Sequence, residues 1–283
     1  MRVHLPYRDP FTHAPLWGAL RAHTVSGLER HDPDGTHTRV VNGPRGPALV
    51  SVVVRPADGY VEAHLTPADP GDVEALTAAV RRWLDLDADP LPIDAALSRH
   101  PQLAPLVALR PGLRRLGSVD GFETAVLTVL GQQVSLAAAR TFGSRLVHAY
   151  GRPVHDGFFA FPEPETLAAL SPELLRSTLG LTGARAKTVL ALAEAASDGL
   201  RLDADTDPAE FRAGLLALPG IGPWTADYLT VRVLADPDAF TPDDLVLKRA
   251  LRVRTGRQAA ELAESWRPWR AYALFHLWTA EAY

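Results

Sequence analysis

Residues 218–228 read LPGIGPWTADY and residues 240–245 read FTPDDL. In the first stretch Gly220 and Gly222 bracket Ile221, a spacing that lets a chain turn tightly between two helices because glycine tolerates left-handed or crowded backbone. The N–H groups of Gly222 and the turn after it then stand at the positive end of the next helix, where backbone alone can hold an anion such as a phosphate. A plain helix corner with no ligand fits the same residues. Trp224 and Tyr228 are i, i+4 neighbours on one helix face, a spacing that serves a core as readily as a pocket. In the second stretch Thr241 is the expected helix cap, with Pro242, Asp243 and Asp244 as the first three helical residues. Read locally, Asp244 does no more than bond back to that cap.

Composition narrows the chemistry. The chain has 283 residues and no cysteine, which excludes disulfides, zinc fingers, iron–sulfur clusters and thiol nucleophiles. Its ten histidines include no pair at helical ligand spacing, so no transition-metal site is expected. Hydrophobic residues make up 47% and charged residues 22%, the balance of an ordinary soluble core. A net charge of −4 argues against a protein that coats nucleic acid nonspecifically. No apolar run approaches the length of a membrane span, and the first residues have no signal-peptide pattern. A cytoplasmic location is expected.

The elements that must position these residues fall into two zones. Residues 1–110 mix periods and predict an α+β domain. RVHLPY reads as a strand and 15–31 as a helix. Residues 36–42, 47–56 and 60–67 read as an antiparallel meander, and 72–87 as a second helix. Residues 111–283 are almost entirely helical, with two helices meeting near Gly131. Others are expected at 165–179, 183–198, 207–217, 223–234, 243–254, 258–264 and 269–281. Asp207 and Pro208 read as the cap and first residue of the helix before the glycine turn. The expected fold class is α+β, an N-terminal antiparallel sheet with flanking helices followed by an all-α region of two lobes.

LPGIG with an aspartate about twenty residues on resembles the fingerprint of the helix-hairpin-helix DNA glycosylase superfamily. PYRDPF, VDGFETAVLTVLGQQVS and SWRPWRAYALFHLWTAEAY extend the likeness over essentially the whole chain, toward the bacterial 3-methyladenine DNA glycosylase II branch. The resemblance implies a glycosylase that flips an alkylated base from double-stranded DNA and hydrolyses its N-glycosidic bond, with 3-methyladenine and 7-methylguanine as leading substrates. It makes Asp244 the catalytic carboxylate, Trp224, Tyr228 and Trp278 the walls of the base pocket, and Gly220, Gly222 and Gln133 DNA contacts. Gln133 matches a wedge position where an apolar leucine can stand. Leu245 replaces an aromatic that relatives may carry, which suggests a roomier pocket. Trp266 and Trp269 read as core.

Bifunctional relatives resemble GVGxK at the hairpin, and their Schiff-base lysine matches Trp224, so this chain is expected to be monofunctional. No cofactor is implied beyond a monovalent cation, sodium or potassium, held by the backbone carbonyls of Leu216, Leu218 and Ile221. A monomer is expected. The alternatives are a non-catalytic helix-hairpin-helix DNA-binding protein and a bifunctional oxidised-base glycosylase/lyase.

Overall fold

The computed structural model describes residues 1–282. Its first elements are β1 (Arg2–Pro6), α1 (Ala14–His23), β2 (Glu29–His31), β3 (His37–Gly43), β4 (Gly46–Arg55), β5 (Tyr60–Pro67) and α2 (Val73–Trp83). The five strands form one antiparallel sheet in the order β1-β5-β4-β3-β2. Alternation along β4 turns Ala48, Val50, Val52 and Val54 inward. Leu16, Trp17 and Leu20 of α1 and Leu76, Val80 and Trp83 of α2 close that core. The meander lies within a residue of the expected bounds. The helix expected over 15–31 does not: α1 ends at His23, and Gly27, at φ +90°, turns the chain into β2. A Cβ at Gly27 would lie 2.5 Å from the His148 ring, so packing as well as conformation requires glycine there.

The rest is helical apart from one short hairpin. The elements are α3 (Pro90–Leu97), α4 (Ala104–Leu109), α5 (Gly121–Gly131), α6 (Leu136–Tyr150), β6 (Arg152–Pro153), β7 (Phe159–Ala160), α7 (Pro164–Ala168), α8 (Pro172–Leu179), α9 (Gly183–Ser197), α10 (Pro208–Leu216), α11 (Pro223–Val233), α12 (Leu245–Ala250), α13 (Gly256–Ala263) and α14 (Arg270–Ala282). The helix expected over 165–179 is two helices. Ser171 accepts the Leu174 N–H at 3.1 Å and Pro172 starts α8, so the chain stops and restarts there. No helix among the described residues is long and apolar enough to cross a membrane.

Two further cores organise these helices. One buries α5, α6 and α8 to α11 against each other and takes in Val25, Leu28 and Val40 from the sheet region. The other joins α3 and α4 to α12, α13 and α14 through residues such as Ile93, Leu97, Leu247 and Leu274. Trp266 is 3% exposed within it, and Trp269 packs on its edge. A buried ion cluster ties the sheet to the first of these lobes. Arg39 of β3 pairs with Glu29 at 2.9 Å and with Glu123 of α5. Burial pushes the Glu123 carboxyl up to about 7, against the pull of the Arg39 guanidinium.

Candidate active site

The glycine turn joins α10 to α11. Asp207 caps α10 by accepting the Ala209 and Glu210 N–H groups, both at 3.0 Å, with Pro208 behind it as expected. Gly220 has φ +82°, and a Cβ there would lie 2.0 Å from Thr188 Oγ1, so both conformation and space require glycine. Ile221, 6% exposed, plugs the turn into the core. Gly222 differs from expectation. It is the extended N-cap of α11 at φ −95°, and a Cβ there would meet nothing within 4 Å. Crowding within the protein explains Gly220 and leaves Gly222 unexplained.

Thr241 is not the cap of α12. Its hydroxyl is buried without a partner, and Asp244 is itself the N-cap, accepting the Leu247 N–H on Oδ1 at 2.8 Å. The helix therefore starts at Leu245, later than expected. The cap is also the meeting point of two indoles. Trp278 Nε1 of α14 donates to Oδ1 at 2.9 Å, and Trp224 Nε1 of α11 donates to Oδ2 at 3.0 Å. Asp244 is 6% exposed and lies behind the indoles. A carboxylate has about four lone-pair sites. Three are taken, and the open one is on Oδ2.

Trp224 and Tyr228 stack with centroids 5.2 Å apart at 16°. The ring of Tyr228 lies 5.9 Å from that of Trp278, which meets Phe275 edge-on at 5.3 Å. The three expected pocket aromatics thus line one cleft of about 730 Å³, and Asp244, bonded to two of them, is not itself among the lining residues. That volume suits a small-molecule-sized guest. Helices α1, α5, α11 and α14 supply its walls. Asp243, by contrast, is exposed and pairs with Lys248 at 3.6 Å.

The junction of α5 and α6 forms the rim. Gln132 caps α5 and donates to Thr225 Oγ1 at 3.1 Å and to the Gly220 carbonyl at 3.4 Å, locking the junction onto the glycine turn. Gln133 is exposed at φ +53°, a strained conformation for a residue with a Cβ. Three residues on, Leu136 lines the cleft and is 42% exposed. Sequence reasoning passed over it, because an apolar residue opening a helix reads as core.

Arg232 was also missed, one turn beyond Tyr228. It donates to the carbonyls of Leu116 at 2.9 Å and Gly117 at 3.3 Å, and to the Tyr228 hydroxyl at 2.9 Å. An arginine on a helix reads as solvated surface unless the segment that covers it is known. Leu218 accepts the Ile221 N–H at 3.3 Å, so its carbonyl keeps one lone pair. Among the described residues no cluster of three or more His, Asp or Glu could hold a metal.

Comparison with known proteins matches both halves. The family model for the AlkA N-terminal domain matches residues 2–120, and that for the HhH-GPD superfamily base excision DNA repair protein matches residues 126–267. The chain is 35% identical to DNA-3-methyladenine glycosylase 2 of Escherichia coli, over 99% of this chain and 97% of that one. It is 44% identical, over 98% of its length, to a probable bifunctional transcriptional activator/DNA repair enzyme AlkA of Mycobacterium tuberculosis, of which it spans only 56%. Among solved structures, a 3-methyladenine DNA-glycosylase from Archaeoglobus fulgidus superposes with a TM-score of 0.83 at 20% identity, covering 100% of this chain and 98% of the other.

Proposed function

The chain belongs to the HhH-GPD superfamily of base excision DNA repair proteins, and from that premise we propose that it is a monofunctional DNA glycosylase that excises alkylated bases, 3-methyladenine and 7-methylguanine first among them. The observation that carries this reading is the carboxylate of Asp244, hydrogen-bonded by Trp224 and Trp278, the two indoles that line the cleft. Alkylation at a purine ring nitrogen puts positive charge on the base, which then leaves as a good neutral group without a second carboxylic acid to protonate it. The sugar left behind is oxocarbenium-like. The open lone pair of Asp244 Oδ2 faces C1′ in this scheme, stabilising the cation and orienting the attacking water.

The free faces of Trp224, Tyr228 and Trp278 receive the flipped base. The turn at Gly220 and Gly222 meets a DNA phosphate with its backbone amides, which gives Gly222 the reason that packing does not. A monovalent cation on the carbonyls of Leu216, Leu218 and Ile221 would brace that turn without entering the chemistry. Gln133 and Leu136 at the rim fill the space that the base vacates, one by hydrogen bonding and the other by apolar contact. Monofunctionality rests on Trp224, an indole at the matched amine position. The chain has only two lysines, Lys187 and Lys248, and neither lines the cleft. The working unit in this proposal is a monomer on double-stranded DNA.

Base release from duplexes that each carry one defined lesion tests the proposal. Release of a methylated purine with the strand left intact supports it. A covalent adduct trapped by borohydride would instead favour the lyase alternative, and tight lesion binding with no release would favour a binding protein.

A further inference from the structure

Arg232 occupies an unusual place for a guanidinium. Trp224, Tyr228 and Arg232 stand at i, i+4 and i+8 on α11, so each lies one turn, about 6 Å along the axis, further from Asp244. Three bonds pin the group, to two backbone carbonyls of the segment before α5 and to the Tyr228 hydroxyl. Its carbon lies 5.7 Å from the centre of the Tyr228 ring, and the residue lines the cleft. Arginine carries five N–H donors and no acceptor. Three are used, which leaves two with no partner among the described residues.

A purine whose C1′ lay beside Asp244 could extend its six-membered ring along α11, and Arg232 would then face its Hoogsteen edge. A guanine presents two acceptors on that edge, O6 and N7, which match a guanidinium fork. An adenine puts an amino donor where the fork needs an acceptor, and is matched by an amide side chain instead. We infer that Arg232 is a specificity residue of the base pocket, and that it selects alkylated bases with a 6-oxo group over those with a 6-amino group. This rests on the base-pocket reading above and revises its order of substrates, placing 3-methylguanine ahead of 3-methyladenine. A methyl at N3 leaves the O6/N7 edge intact, whereas a methyl at N7 leaves only O6. The matched comparison is therefore 3-methylguanine against 3-methyladenine, which share methyl position and charge.

DNA treated with a methylating agent contains both lesions, and the bases released by the whole chain can be separated by chromatography. The parent should release 3-methylguanine faster than 3-methyladenine for equal amounts present. Arg232→Gln should shift that ratio toward adenine by about tenfold or more, since one good bidentate pair discriminates on that scale. Arg232→Lys keeps the charge without the fork, and should bring the two rates toward parity. A parent that favours 3-methyladenine overturns the inference with no variant needed. So does a variant whose two rates fall equally, the mark of a brace for the 116–117 segment. Release of neither base by the parent defeats the glycosylase proposal itself, a result distinct from either.

Discussion

Trp224 and Asp244, twenty residues apart in sequence, are joined by an indole N–H to carboxylate hydrogen bond of 3.0 Å. The resemblance set Trp224 at the place of a lysine nucleophile in bifunctional relatives, and in the structure its indole is a hydrogen-bond donor to the carboxylate. Trp278 makes the equivalent bond to the other oxygen. Trp224→Phe and Trp278→Phe keep a ring on the cleft and remove one donor each. A hydrogen bond to a charged group is worth about 1.5–3 kcal/mol, so each variant should lose about tenfold or more in kcat with lesion affinity changed little. Single-turnover kinetics beside equilibrium binding would separate the two. Equal losses in both would mean that the indoles act only as walls.

Asp244→Asn should bind lesion DNA and release almost no base, a drop of at least about a hundredfold for a group acting on the reacting bond. The cap to Leu247 survives in the amide, but its NH2 opposes the Trp224 N–H, so stability should fall by about 1–3 kcal/mol. Asp243→Asn is the control. Its carboxylate is exposed and pairs with Lys248, and base release should stay within about twofold of the parent, in line with the small worth of exposed ion pairs.

The two glycines of the turn should separate stability from binding. Gly220→Ala places a Cβ at φ +82° against Thr188, and should cost more than about 2 kcal/mol, read as a lowered Tm. Gly222→Ala meets open space and should leave stability within about 0.5 kcal/mol of the parent. It should still weaken DNA binding, because the methyl stands where a phosphate must approach the amides. Unchanged affinity in Gly222→Ala would reduce the turn to a plain corner.

How much of this could be read from residues alone depended on whether the signal was local. The meander was legible because its β-branched runs alternate between glycine turns, and α10 because Asp207 and Pro208 are a local start signal. The end of α1 was not, because apolar residues at helical spacing run on to Val25, past the last helical residue, His23. Asp244 was identified through family resemblance. Its local pattern, TPDD, pointed to Thr241 as the cap, and the indoles of α11 and α14 that meet Asp244 instead come from segments the local pattern does not contain. Arg232 gave no signal at all, since its partners at Leu116 and Gly117 come from a segment without periodicity.

Two residues from Trp278 on α14, His276 gives the fold a predictable acid limit. Its ring is 1% exposed, and neither nitrogen has a partner. Burial, helped by the nearby charge of Arg110, lowers its pKa to about 4. An unfolded chain takes up that proton near the ordinary value of 6.5, so the stability linked to keeping the ring neutral is complete above 6.5. It drains away as pH falls toward 4, by up to about 3 kcal/mol. His276→Leu removes the titration while keeping an apolar filler, and should flatten this part of the pH–stability curve. Denaturant unfolding at pH 7, 6, 5 and 4 would show it as a convergence of the variant and the parent, or a crossover in the variant's favour, at the acid end. Parallel curves would place the acid loss on other groups.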